Sequence, residues 1–100
     1  MEFLLTALLW IIALLHILFM LLEMLLWTKP MGRKIFKLSE SYAESSKTLA
    51  ANQGLYNGFL AAGLIWAALS GQFSVQLFFL CCVFIAGVFG AMTVSRMIFW

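Results

Sequence analysis

The feature that most constrains this chain is where its charged residues lie. No Asp, Glu, Lys or Arg occurs between Lys47 and Arg96, a run of 48 residues. From Phe3 to Leu22 the only polar side chains are those of Thr6 and His16. A helix needs about 20 apolar residues to cross a bilayer. The first apolar block therefore accommodates one membrane span and the second accommodates two, which predicts an integral membrane protein.

Composition and turn signals give the expected fold. Hydrophobic residues make up 65% of the chain and charged residues 10%, against about 45–50% and about 25% in soluble domains. The tripeptide Ser70-Gly71-Gln72 is a turn signal that divides the second block. We expect an all-α polytopic membrane helix bundle that forms a single domain over residues 1–100. Its three transmembrane helices lie at about 3–27, 47–69 and 73–96, with a connecting segment at about 28–46.

The basic residues predict the orientation of this bundle. Five of the six lie in the segment between the first two spans, and Arg96 follows the third span, so all are on one side of the membrane. The positive-inside rule places that side in the cytoplasm. The N-terminus and the Ser70–Gln72 turn are then outside. The net charge of +2 is too small to indicate nucleic-acid binding.

The connecting segment carries helix signals of its own. Pro30 and Gly32 are expected to end the first helix. Residues 31–38 mix basic and apolar side chains, which suits a segment on the membrane surface, although a solvated linker that only sets topology has the same composition. Ser41 and Glu44 match a capping box, so the second long helix is expected to begin near Ser41.

Two polar side chains interrupt the first span. His16 and Glu23 are seven residues apart, which places them on nearly the same helical face, two turns from each other. Intramembrane ionisable groups often mark functional sites, so these two could handle a proton or bind a ligand. Alternatively, Glu23 pairs with Arg96 or a loop lysine, and His16 bonds to a neighbouring helix.

The second span carries a cluster of polar side chains. Gln53 and Asn57 are four residues apart and share a face, and Asn52 and Tyr56 form a second pair on an adjoining face. Amides can form hydrogen bonds between helices that are individually worth about 1 kcal/mol. The cluster could therefore line a binding pocket or serve only to associate helices, and the sequence leaves both open.

Small residues predict where helices approach each other. A repeat of four residues in the second span and a similar face in the third are typical of close helix packing. The predicted packing residues are Ala50, Gly54, Gly58, Ala62, Ala86 and Gly90.

The depths of the polar residues can be compared across the spans. Counted from the predicted cytoplasmic ends, Glu23 is expected at the level of Asn52 and Gln53, and His16 at the level of Asn57. These residues would form a polar pocket in the cytoplasmic half of the bundle. The candidate ligand-binding residues are His16, Glu23, Asn52, Gln53, Tyr56, Asn57 and Arg96.

Motifs for catalysis or metal binding are not evident. Cys81 and Cys82 are adjacent and have no metal-ligand spacing, so they are expected to be packing residues. We expect no catalytic residue, no metal and no cofactor.

Four stretches carry a family resemblance: residues 16–27, 28–36, 49–63 and 87–96. In these the chain resembles the small bacterial membrane proteins numbered 1304 among domains of unknown function. The resemblance implies a bacterial inner-membrane protein of four helices with no established activity. This chain stops at Trp100, where family members continue into a fourth span. The fourth helix is therefore expected to be truncated or replaced by a partner subunit, and both alternatives favour a homo-oligomer.

Three hypotheses about function follow. The one we adopt is binding or translocation of a small molecule, proton or ion by Glu23, His16 and the amide cluster. The second is a membrane enzyme in which His16 and Glu23 act as general acid and base on a lipophilic substrate. The third is a non-catalytic accessory or scaffold subunit. The lipid bilayer is a partner in each.

Overall fold

The computed structural model describes residues 2–99, with side chains described as far as Thr93. Across these residues the chain is helical apart from short connections. The four helices are α1 (Glu2–Met24), α2 (Pro30–Phe36), α3 (Glu40–Ser70) and α4 (Phe73–Phe99). The expected all-α fold is confirmed.

Two of these helices are long and apolar enough to cross a membrane: Glu2–Met24, and Phe73–Thr93 within α4. Only 11% and 6% of their most apolar stretches are buried within the structure. The core helix of a soluble protein would be mostly buried, so these apolar faces call for an apolar environment outside the chain.

The end of α1 differs from the expectation. α1 ends at Met24, and Pro30 begins α2 rather than terminating the first helix. Proline is favoured at the first helical position because its missing N–H would have no intrahelical partner there. Gly32 is buried against the turn between α1 and α2, where an added Cβ would overlap the carbonyl oxygen of Leu26. α2 therefore packs directly on this turn.

The start of α3 is capped by Ser39. The Ser39 hydroxyl oxygen accepts a hydrogen bond from the Tyr42 backbone N–H at 3.1 Å, so α3 begins at Glu40. A serine at this position satisfies one of the free N–H groups at the helix start. The predicted cap at Ser41 was wrong, because Ser41 already lies inside the first turn.

The predicted turn between the last two helices is confirmed. Gly71 adopts φ +69°, a left-handed conformation that ends α3. Glycine reaches this region without a Cβ penalty and is the usual residue after a helix. The Gln72 N–H also donates to the Ser70 hydroxyl oxygen at 3.1 Å. α3 and α4 therefore form a helical hairpin.

α1 and α3 pack along an antiparallel seam. At one end, an added Cβ on Gly54 would lie 2.6 Å from Met24 Cγ, and one on Gly58 would lie 2.8 Å from Met20 Sδ. Towards the other end lies a core of four buried residues, Leu9, Ala13, Leu64 and Ala67. Residue numbers fall along α1 as they rise along α3, which establishes the antiparallel register. The two glycines let the helices approach closely.

The spacing of the seam residues corrects one packing prediction. Ala50, Gly54, Ala61 and Leu64 are buried on α3, whereas Ala62 is exposed. A repeat of four residues drifts around a helix by about 120° over three steps, because one turn takes about 3.6 residues. Alternating steps of four and three stay on one face, as in a coiled coil.

Over the residues whose side chains are described, α4 packs against α3 near the turn. The Phe79 ring fills the space beside Gly63, and the Gln76 side chain donates to the Ala67 carbonyl oxygen at 3.2 Å. From residue 84 to residue 89 every side chain of α4 is exposed, including that of Ala86. An added Cβ on Gly90 would meet nothing within 4 Å.

The prediction that Ala86 and Gly90 pack against another helix was therefore wrong within the described part of the chain. Small residues permit close approach, but they supply little contact area themselves. They cannot hold the second half of α4 against α3.

Gly54→Leu should destabilise the bundle, whereas Gly87→Leu should not. Leucine at position 54 would clash with Met24 and Glu23, and overpacking of this kind costs about 1–3 kcal/mol. Gly87 has open space around it, so it is a matched control on another helix. Thermal unfolding followed by circular dichroism in detergent measures the difference. Equal midpoints for both variants would contradict the α1–α3 seam.

Candidate functional site

A side-chain hydrogen bond joins α1 and α3 beside this seam. Asn57 Nδ2 donates to Glu23 Oε1 at 2.5 Å, and both side chains are partly buried. Glu23 is the penultimate residue of α1. The missing side chain of Gly54 allows this contact, since an added Cβ there would lie 3.1 Å from Glu23 Cβ. The close approach of the helices thus brings the Asn57 amide within hydrogen-bond distance of the Glu23 carboxyl group.

The pairing corrects the predicted register. Asn57 lies opposite Glu23 rather than opposite His16. The predicted depths were counted from a first helix ending near Trp27, but α1 ends at Met24 and Gly54 lies beside Met24. The register is therefore shifted by about one turn.

Among the described residues, His16 makes no hydrogen bond to another candidate residue. Its Nδ1 donates to the Ile12 carbonyl oxygen at 2.9 Å, within the same helix. The alternative that His16 bonds to a neighbouring helix was therefore wrong in the described structure. Among the described residues no hydrogen bond links His16 with Glu23. This geometry gives no support to an acid–base pair at one substrate.

The other three polar residues of the predicted α3 cluster make no hydrogen bond to α1 among the described residues. Asn52, Gln53 and Tyr56 are exposed, and the Tyr56 ring makes an edge contact with Phe59 at 5.9 Å between centroids. Of the four-residue cluster, only Asn57 reaches Glu23. Arg96, the last candidate residue, falls among the residues whose side chains lie outside the described structure.

A cavity of 280 Å³ opens beside Glu23 at the α2 end of the bundle. Its polar lining comes from Glu23, Thr28, Lys47 and Thr48, and its apolar lining from Met24, Leu25, Trp27 and Ala51. Sequence reasoning assigned only Glu23 of these to a site. The other lining residues could have been predicted from topology. In an antiparallel helix pair, the residues that follow the first helix lie beside the first residues of the second predicted span.

Trp27 fixes one wall of this cavity. Its Nε1 donates to the Ser46 hydroxyl oxygen at 3.0 Å, and its ring lies 5.1 Å from that of Phe36 between centroids. The Ser46 hydroxyl in turn donates to the Tyr42 carbonyl oxygen at 2.6 Å. The turn after α1 is thereby tied to both α2 and α3, which holds Thr28 beside the cavity.

Lys47 supplies a positive charge at the rim. Its Nζ forms an ion pair with Glu44 Oε1 at 2.5 Å, and both side chains are more than half exposed. Exposed pairs of this type contribute about 0–1 kcal/mol, so the ammonium group can exchange partners easily. The cavity therefore presents a carboxyl group, an ammonium group and two hydroxyl groups to whatever enters it.

A double-mutant cycle should measure coupling between Glu23 and Asn57. Glu23→Ala and Asn57→Ala should each destabilise the bundle, and the pair should be non-additive by about 1–2 kcal/mol because both remove one hydrogen bond. Chemical denaturation in detergent provides the free energies of unfolding. Gln53→Ala combined with Glu23→Ala is the matched control, and these two changes should add. Additive effects for the Asn57 pair would contradict the hydrogen bond.

Comparisons with known proteins give one match. The model of a family described as "Protein of unknown function (DUF1304)" matches residues 10–100, so the chain belongs to this family. The predicted resemblance is confirmed. No curated protein and no solved structure matches the chain.

Proposed function

We propose that this family member is a multi-pass protein of the bacterial inner membrane that binds a small cationic group at Glu23. Two helices qualify as spans by length and apolar composition, and the proposal adds α3 as the third. α3 packs antiparallel to α1 over much of its length. If α1 crosses the bilayer, the part of α3 that packs beside it must cross as well. Asn52, Gln53 and Asn57 lower the hydropathy of α3, which explains why composition alone does not select it.

The proposed orientation places the cavity at the cytoplasmic face. Lys29, Arg33, Lys34, Lys37 and Lys47 all belong to the segment around α2, so the positive-inside rule assigns this end to the cytoplasm. Glu2 and the turn at Gly71 then face the outside. A ligand would enter the cavity from the cytoplasmic surface of the membrane.

Cysteine labelling should show that the two ends of α3 lie on opposite sides of the membrane. Ser45→Cys and Gln72→Cys are introduced singly after Cys81 and Cys82 are replaced by serine; both new positions are exposed. In a cell whose outer membrane admits a membrane-impermeant maleimide, Gln72→Cys should react in intact cells. Ser45→Cys should react only after the inner membrane is permeabilised. Reaction of both positions from the same side would exclude α3 as a span.

The Glu23–Asn57 bond is the observation that carries the proposed binding role. Asn57 donates to one carboxyl oxygen and orients the group, while Glu23 also lines the cavity. A carboxyl group has about four acceptor positions, so one amide bond leaves capacity for a ligand's N–H groups. The chemistry of Glu23 in the cavity lining thus suits a small N–H cation.

Binding is a better-supported role than passage across the membrane. Beyond Asn57 the seam contains Ala61 and Leu64 on α3, and Leu9 and Ala13 on α1, all at most 3% exposed. These side chains leave no polar path along the seam towards the outside. The proposal is therefore a binding site open at one end.

Methylammonium is a direct probe of this site. Titration into the protein in lipid nanodiscs should give a saturable change in the NMR signal of the Asn57 side-chain amide, since that amide is bonded to Glu23. Glu23→Gln should weaken binding by about tenfold or more, because a charge-assisted hydrogen bond becomes a neutral one. Glu40→Gln, an exposed change outside the cavity, should leave it unaltered. No saturable change in the unmodified protein would rule out the site.

A further inference from the structure

We propose that the cavity beside Glu23 takes the headgroup of an aminophospholipid: a primary ammonium joined through a short carbon chain to a phosphate ester. The ammonium group lies on Glu23, and the phosphate lies near Thr28, Thr48 and Lys47. The inference rests on the cation-binding function proposed above and identifies its ligand.

The position of the cavity places it at headgroup level. Glu23 and Met24 are the last two residues of α1, whose apolar run begins next to Glu2. A helix of 23 residues spans about 35 Å at 1.5 Å per residue, close to the thickness of the hydrocarbon core. The residues that follow α1 therefore lie in the headgroup region, which is where Trp27 and Thr28 line the cavity.

α2 is built for the same membrane level. Met31 and Ile35 are 61% and 54% exposed, and Lys34 is exposed as well. A short helix that exposes apolar and basic side chains together is typical of segments lying in the interface. The cavity thus opens next to a segment whose exposed side chains suit the membrane interface.

The lining of the cavity complements a zwitterion. Glu23 provides an acceptor for an ammonium group, while Lys47 provides a positive charge for a phosphate. The hydroxyl groups of Thr28 and Thr48 can donate to phosphate oxygens. Lys47 can leave its exposed partner Glu44 at a cost of at most about 1 kcal/mol. A ligand with only one of the two charges would leave part of this lining unused.

The aromatic side chain in the cavity favours a primary over a quaternary ammonium. Sites for quaternary ammonium groups surround the cation with several aromatic faces. Among the described residues this cavity is lined by one aromatic residue, Trp27, whose ring is packed against Phe36. Recognition therefore depends on hydrogen bonds to Glu23, which a primary ammonium can donate and a quaternary one cannot.

The size of the cavity fits a headgroup rather than a larger molecule. Its 280 Å³ lies just below the range of about 300–1,000 Å³ that is typical of small-molecule pockets. Leu25, which is 63% exposed, lines the cavity and continues into the apolar surface of the bundle. The acyl chains can remain in the bilayer beside it.

Lipid retention measured by native mass spectrometry tests the inference. The full chain is reconstituted with equal amounts of phosphatidylethanolamine, phosphatidylcholine and phosphatidylglycerol, extracted in mild detergent, and its bound lipids are counted. Phosphatidylethanolamine should be retained about tenfold over each of the others, which corresponds to about 1.4 kcal/mol. Glu23→Gln should remove this preference, and Glu40→Gln should preserve it.

Three results would overturn the inference. One is equal retention of the ethanolamine and choline lipids, and another is a preference that persists in Glu23→Gln. The third is binding of soluble phosphoethanolamine without retention of the lipid, which assigns the same headgroup chemistry to a soluble ligand. The methylammonium titration distinguishes failure of the lipid inference from failure of the proposed function. A response of the Asn57 amide without a lipid preference refutes only the assignment of the ligand as a lipid. Absence of both responses refutes the binding site itself.

Discussion

The close approach of α1 and α3 is the contact on which the rest of the structure depends. Gly54 and Gly58 remove the side chains that would otherwise separate the helices at Met20 and Met24. Apolar attraction between helices is weak in a bilayer, because lipid tails are as apolar as leucine. Packing contacts and hydrogen bonds must therefore hold them together. The seam supplies both, since the same approach that packs Met24 over Gly54 brings Glu23 within reach of Asn57.

The two ends of this seam have different chemistry. Towards the Gly71 turn, Leu9, Ala13, Leu64 and Ala67 are buried in the seam. At the other end α1 stops one residue after Glu23, and the turn that follows is tied to α3 by the Trp27–Ser46 hydrogen bond. An opening is left where the helices stop packing. The cavity beside Glu23 therefore depends on where α1 ends as well as on which residues are polar.

Helix content and the α3–α4 turn followed directly from the sequence, because long apolar blocks and the Gly71 signal depend only on local chemistry. The small residues predicted Gly54 and Gly58 correctly, but they misplaced Ala62, Ala86 and Gly90. A repeat of small residues predicts where two helices can approach closely, but it does not predict whether a second helix lies there. The depth of Asn57 was also missed, since register depends on where α1 ends. Just beyond that end, Gly32 of α2 packs on the Leu26 carbonyl oxygen.

The polar residues of α3 now divide into two groups with different roles. Asn57 is paired with Glu23 of α1, whereas Asn52, Gln53 and Tyr56 are exposed. By the α1–α3 register Gly54 lies beside Met24, so Asn52 and Gln53 lie level with the turn that follows α1. In the proposed membrane orientation, side chains at that level can hydrogen-bond to headgroups and water, so their exposure carries little energetic penalty. Asn57 lies one turn deeper, where an unpaired amide would be costly, and Glu23 satisfies it there. The Glu23–Asn57 hydrogen bond thus pairs this amide with α1, while Glu23 also lines the cavity.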